Sequence, residues 1–219
     1  MRNFARIALT GALLAGFAGT AAAHDMTEHS AATATKQPAL SAKAAETNAA
    51  VRDLWLGHIF WVRNVVLATF AKNDAAAKAA EQQVVANAKA IAGTLEPFYG
   101  AGAKDTLFKL LAGHYGAVKA YLTATVSNDA SGQSKATESL TKNAADIADF
   151  LSKANKNLPK DDVQGLLLAH GGHHIQQIQE LKDAKYDAEA RTWEEMKTHI
   201  YGIADALTQA LAKQFANKF

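Results

Sequence analysis

The chain contains no cysteine, and its 219 residues include only three prolines and three methionines. Each shortage removes a class of chemistry. Without cysteine there is no disulfide framework, thiolate zinc site, iron–sulfur cluster, covalently attached c-type haem or lipid-bearing cysteine. With so little methionine, a metal has to be held by histidine, aspartate or glutamate. Strand signals are missing too, because no run alternates β-branched residues with polar ones. The longest apolar run, "IALTGALLAGFAGT", is shorter than the roughly 20 strongly apolar residues of a membrane span.

That run has a different reading. Arg2 and Arg6 precede it and Ala21-Ala22-Ala23 follow it, so residues 1–23 are expected to be a cleaved signal peptide and the mature protein periplasmic or secreted. Cleavage removes two of the 23 basic residues and none of the 21 acidic ones, leaving 196 residues of formal net charge zero. A neutral chain argues against nucleic acid as a partner, and no membrane insertion is expected after cleavage. Residues 24–42, "HDMTEHSAATATKQPALSA", read as a disordered tether. His24, as a new N-terminus near Met26 and His29, is a candidate secondary copper chelate there.

From Lys43 onward the composition is helix-forming almost throughout. Residues 43–219 are expected to form one all-α domain, an up-and-down bundle of about six helices near 43–72, 74–95, 102–127, 130–155, 160–183 and 188–217. The breaks fall at "KNDA", "EPFYGAGA", "SNDASG", "NKNLPKDD" and "KDAKYDAEA". An internal repeat runs through them. "NAKAIAGTL" at 87–95 matches "NAADIADFL" at 143–151, and the same 56-residue offset carries "LLAGHYG" at 110–116 onto "LLLAHGG" at 166–172. This is a duplicated helical hairpin. A weaker match of 57–72 with 198–213 sets His58 against His199.

Four histidines fall on the apolar seams of their helices. His58 is flanked at helical spacing by Leu54, Trp55, Trp61, Val62 and Val65, and His114 by Leu107, Leu110, Leu111, Val118 and Tyr121. His170 follows Val163, Leu166 and Leu167, and His199 sits among Met196, Ile203 and Ala206, with Glu195 one turn before it. A lone buried imidazole is usually structural. Four in one core are costly unless every ring nitrogen is satisfied, and a metal ion satisfies them. His170 and His174 add an i, i+4 chelate of the kind used in helical zinc sites, with His170/His173 as the alternative pair. The expected ligands are therefore His58, His114, His170 and His199, joined by His174 or Glu195. The expected ion is Cu, Zn, Ni or Fe.

Gly57, Gly113 and the Gly171-Gly172 pair lie beside these histidines. Glycine inside a helix costs about 1 kcal/mol relative to alanine, so they are expected to let neighbouring helices come close, to clear space for a b-type haem, or to break the helix at 171–172. Carboxylates one turn from the other histidines are lacking, which disfavours a ferritin-like di-iron site. Trp55, Phe60 and Trp61 read as core packing. No nucleophile with a partnered base and no phosphate-cradling loop is present, so a binding protein takes precedence over an enzyme.

The segments "LWLGHIFWVR" (54–63), "NAADIADFL" (143–151) and "IADALTQALAKQFANKF" (203–219) resemble a family of small, exported, all-helical bacterial proteins. Those proteins open on Leu-Trp-x-x-His-x-x-Trp-x-Arg and close on Gln-Phe-Pro-x-Lys-Phe. The resemblance covers most of the chain after the tether and places His58, Trp61, Arg63, His114, His170 and His199 on family positions. Ala216 and Ala210 stand where proline and glycine are usual. The resemblance implies the helical fold and supplies no activity. The functional expectation is an exported bundle that buffers, carries or senses a transition metal. A cofactor-free interaction module is the alternative, and a haem protein or metal-dependent enzyme on the same histidines the second.

Overall fold

A computed structural model of the chain describes residues 41–219. The expected signal peptide, the tether up to residue 40 and the His24/Met26/His29 chelate lie outside the described residues. The domain from residue 41 onward is all-helical, with no strand among the described residues.

Six long helices and one short one follow in order: α1 (Ala42–Phe70), α2 (Asp74–Gly93), the short α3 (Glu96–Tyr99), α4 (Ala101–Val126), α5 (Ala130–Ala154), α6 (Lys160–Lys182) and α7 (Tyr186–Gln214). A 3-10 turn at Ala216–Lys218 ends the chain. Three of the long helices, α1, α2 and α5, begin on a side-chain cap. Ser41 Oγ accepts from Ala44 N, Asn73 Oδ1 from Ala76 N and Asp129 Oδ1 from Gly132 N, which satisfies amide groups that a helix start leaves without partners.

Three of the turns are the same turn. α1, α4 and α6 each end on a left-handed residue, Lys72 (φ 56°), Asn128 (φ 55°) and Ala184 (φ 56°), spaced 56 residues apart. In each case the next amide reaches back five residues: Asn73 N to Ala68 O (2.9 Å), Asp129 N to Ala124 O (2.8 Å) and Lys185 N to Glu180 O (2.8 Å). This is a Schellman closure built without glycine. It folds α1 onto α2, α4 onto α5 and α6 onto α7. The three hairpins pack side by side, α2 against α4 and α5 against α6, and α7 returns to α1, while α6 also meets α1 and α4.

The core has two apolar parts. One contains Trp55, Ile59, Leu111, Leu167, Met196 and Ile200, and the other Val62, Val66, Val118, Tyr121, Leu140 and Ile178. Between them runs a polar layer made by the first helix of each hairpin. Phe60, expected in the core, is 46% exposed and lies edge-on against Trp61.

Candidate metal centre

His58 on α1, His114 on α4 and His170 on α6 stand 56 residues apart, one in the middle of each hairpin's first helix. One turn before them are Trp55, Leu111 and Leu167, which close the layer on one side. One turn after them, Val62 and Val118 fill two of the three positions, and the third holds His174. The hairpins therefore bring three histidines to one level, and α6 adds a fourth from the next turn. Each is at most 5% exposed.

The four rings converge. One ring nitrogen from each of His58, His114, His170 and His174 lies within 4.8 Å of the others. His170 Nε2 is 3.4 Å from His58 Nε2 and 3.1 Å from His174 Nε2. An ion about 2.0–2.1 Å from four nitrogens in a tetrahedron would set them about 3.3–3.4 Å apart, so these two edges are close to ready-made. The polar accounting without an ion is poor. A neutral ring nitrogen carries either one proton or one lone pair, so His170 Nε2 cannot make full hydrogen bonds to both neighbours. His114 Nε2 and His170 Nδ1 are buried without any partner. Burying such groups unpaired is unfavourable; a cation that accepts several lone pairs at once removes the conflict at His170 Nε2, while His170 Nδ1, on the far side of its ring, keeps no partner.

Electrostatics push the same way. Burial holds His58 down to about 3, helped by repulsion from His114, and holds His114 down to about 4. His170 and His174 lie well below the ordinary imidazole range, first through burial and then through their histidine neighbours. All four are neutral at pH 7, the state in which imidazole is a ligand.

The second helix of each hairpin pins the first. Asn87 Nδ2 donates to Leu54 O at 2.8 Å and Asn143 Nδ2 to Leu110 O at 2.9 Å, each across 33 residues. The glycines beside His58 and His114 make room for these carboxamides: a Cβ on Gly57 would stand 3.0 Å from Asn87 Nδ2, and one on Gly113 3.2 Å from Asn143 Nδ2. Asn143 also holds the pKa of His114 up against burial, although its Oδ1 reaches no partner at full hydrogen-bond geometry. In the third hairpin the pair changes together. Ala169 replaces the glycine, and the longer His199 replaces the asparagine, reaching Leu166 O with Nε2 at 2.8 Å, again across 33 residues.

This geometry corrects several expectations. His199 is the counterpart of Asn87 and Asn143, not of His58, and its Nε2 is committed to a backbone carbonyl, so it stands outside the quartet. Glu195 is exposed on α7 and takes no part in it. His174 is a full member. His173 points away, half-buried beside His199 with ring centroids 5.2 Å apart. The helix runs unbroken through Gly171-Gly172, and an added Cβ on either would meet nothing within 4 Å, so these two glycines admit no close neighbour. Haem does not fit: the four rings, with centroids 4.5 to 6.1 Å apart, occupy the space a macrocycle would need.

Two further features were not apparent from sequence. Glu189, 2% exposed, is held by Arg63 through both oxygens at 2.6 and 2.7 Å and by Gln177 Nε2 at 2.8 Å. An apolar cavity of about 50 Å³ lies beyond Trp55, Leu111 and Leu167, with none of the four histidines in its wall. No known protein family matches the chain, and no curated protein or solved structure is detectably similar to it.

Proposed function

We propose that this protein is a metal-holding helical bundle, in which His58, His114, His170 and His174 enclose one transition-metal ion for storage or delivery. The observation that carries this reading is the convergence of four buried, neutral imidazoles on one point, with His170 Nε2 contested by two neighbours. Sequestration suits the arrangement better than catalysis. Catalytic metal sites keep a coordination position open to water or substrate, whereas here four protein donors surround the point and the adjoining cavity is apolar. The signal-like segment 1–23 supports a role outside the cytoplasm, and the three matched hairpins support an origin of three of the donors by repetition of one unit.

A cofactor-free polar core is the competing reading, favoured by the 3.1 Å His170–His174 contact, which is short enough for an imidazole–imidazole hydrogen bond. Elemental analysis of the purified protein and of a His58→Ala/His170→Ala variant separates the two. One ion per chain in the parent and none in the variant is expected. A parent that neither carries a metal nor binds added copper, zinc, nickel or iron would leave the polar-core reading.

A further inference from the structure

We infer that the centre selects a monovalent cuprous ion over divalent metals, because its donor set brings no negative charge to a buried site. This rests on the metal-binding reading above and goes beyond it to the identity of the cargo.

All four donors are neutral imidazoles, and among the described residues no aspartate or glutamate belongs to the group. The one buried carboxylate among the buried polar residues, Glu189, is already neutralised by the two-point contact with Arg63. The surroundings are hydrocarbon, with Trp55, Leu111 and Leu167 on one side and Val62 and Val118 on the other, apart from the neutral carboxamide of Asn143 beside His114. A bound ion therefore enters with its whole charge uncompensated. The cost of moving an ion from water into a poorly polarisable interior grows with the square of its charge, so a divalent ion meets about four times the penalty of a monovalent one of similar size. Imidazole serves copper and zinc alike, so the donor type alone does not choose between them and the preference rests on charge.

The test is competitive titration of the metal-free full chain under argon. Cu(I) is supplied as its acetonitrile complex against bicinchoninate, and Zn(II) and Cu(II) are each supplied against a chelator of known affinity. One Cu(I) per chain is expected, held at least about a hundredfold more tightly than either divalent ion. A hundredfold preference for Cu(I) over Cu(II) is equivalent to a rise of about 118 mV in the copper couple. Replacing a neutral donor by an anion, His174→Asp, should shift the Cu(I)/Zn(II) ratio toward zinc by at least about tenfold; circular dichroism verifies that the variant is folded. Zinc or Cu(II) binding as tightly as Cu(I) in the parent overturns the inference while leaving the metal-holding role intact. An unchanged ratio in folded His174→Asp overturns the charge argument. Failure to bind any of the three ions overturns the inference, and failure to bind nickel and iron as well overturns the role it rests on.

Discussion

His174 and His173 are neighbours on α6, yet one faces the centre of the bundle and the other its margin. His174 is 1% exposed, stands 3.1 Å from His170 and is held well below the ordinary imidazole range by burial and by other histidines. His173 is half-buried beside His199, and Glu195 partly offsets the lowering of its pKa by burial. His199 spends its Nε2 on a carbonyl. Residue type is the same in all three. What differs is whether the ring reaches a backbone carbonyl, as His199 does, lies half-buried at the margin, as His173 does, or is enclosed with only other imidazoles at its nitrogen, as His174 is, and only the last situation calls for a cation.

Acid should separate the two regions most sharply. The unfolded chain takes up protons below the ordinary imidazole value of 6.5, while His58 and His114 resist until about 3 and about 4 in the fold. Their folded pKa values are depressed, so the unfolded state binds more protons. The stability of the metal-free protein is complete above pH 6.5 and falls as pH drops toward those values. Denaturant midpoints measured from pH 7 to 4 should decline steeply, and His173→Gln should leave the slope nearly unchanged. A flat profile would mean that the quartet is not buried as described.

The buried and exposed ion pairs offer the next contrast. Arg63→Ala strands Glu189 in the core and should destabilise the fold by about 3–5 kcal/mol. Arg52→Ala, opening the more exposed pair with Asp205, should cost about 1 kcal/mol or less. Equal losses in chemical denaturation would contradict the difference in burial. Metal affinity follows. His170→Ala should weaken binding at least about a hundredfold, and His173→Ala should change it by less than about threefold; similar losses by isothermal titration would move the site toward the margin.

The smallest effect tests the hairpin pinning. Gly113→Ala crowds Asn143, and the overpacking cost of about 1–3 kcal/mol, less the roughly 1 kcal/mol that alanine gains in a helix, should leave a net loss of about 1 kcal/mol. The double change Gly113→Ala/Asn143→His installs the pairing of the third hairpin, Ala169 with His199, and should recover part of that loss. A double variant less stable than the additive sum would refute the exchange.

The helices and their turns were legible because helix periodicity and cap chemistry are local: Asn73 and Asp129 cap where the breaks were expected. Three members of the quartet were legible for a related reason, as each sits on an apolar seam at the same place in its hairpin. His199 was misjudged because its seam looks the same in sequence, although one further step of the 56-residue offset from Asn87 and Asn143 marks it as lying on the second helix of its hairpin. His174 was open to inference from its i+4 spacing, but its promotion over His199 depends on α6 facing the centre, which is a tertiary fact. The Arg63–Glu189 pair joins residues 126 apart and left no local trace.

X-ray absorption at the metal edge of the loaded protein tests the central claim most directly. One ion per chain is expected, with a first shell of nitrogen at about 2.0 Å and the outer-shell scattering of three to four imidazoles. A first shell dominated by oxygen, or by a single imidazole, would contradict it.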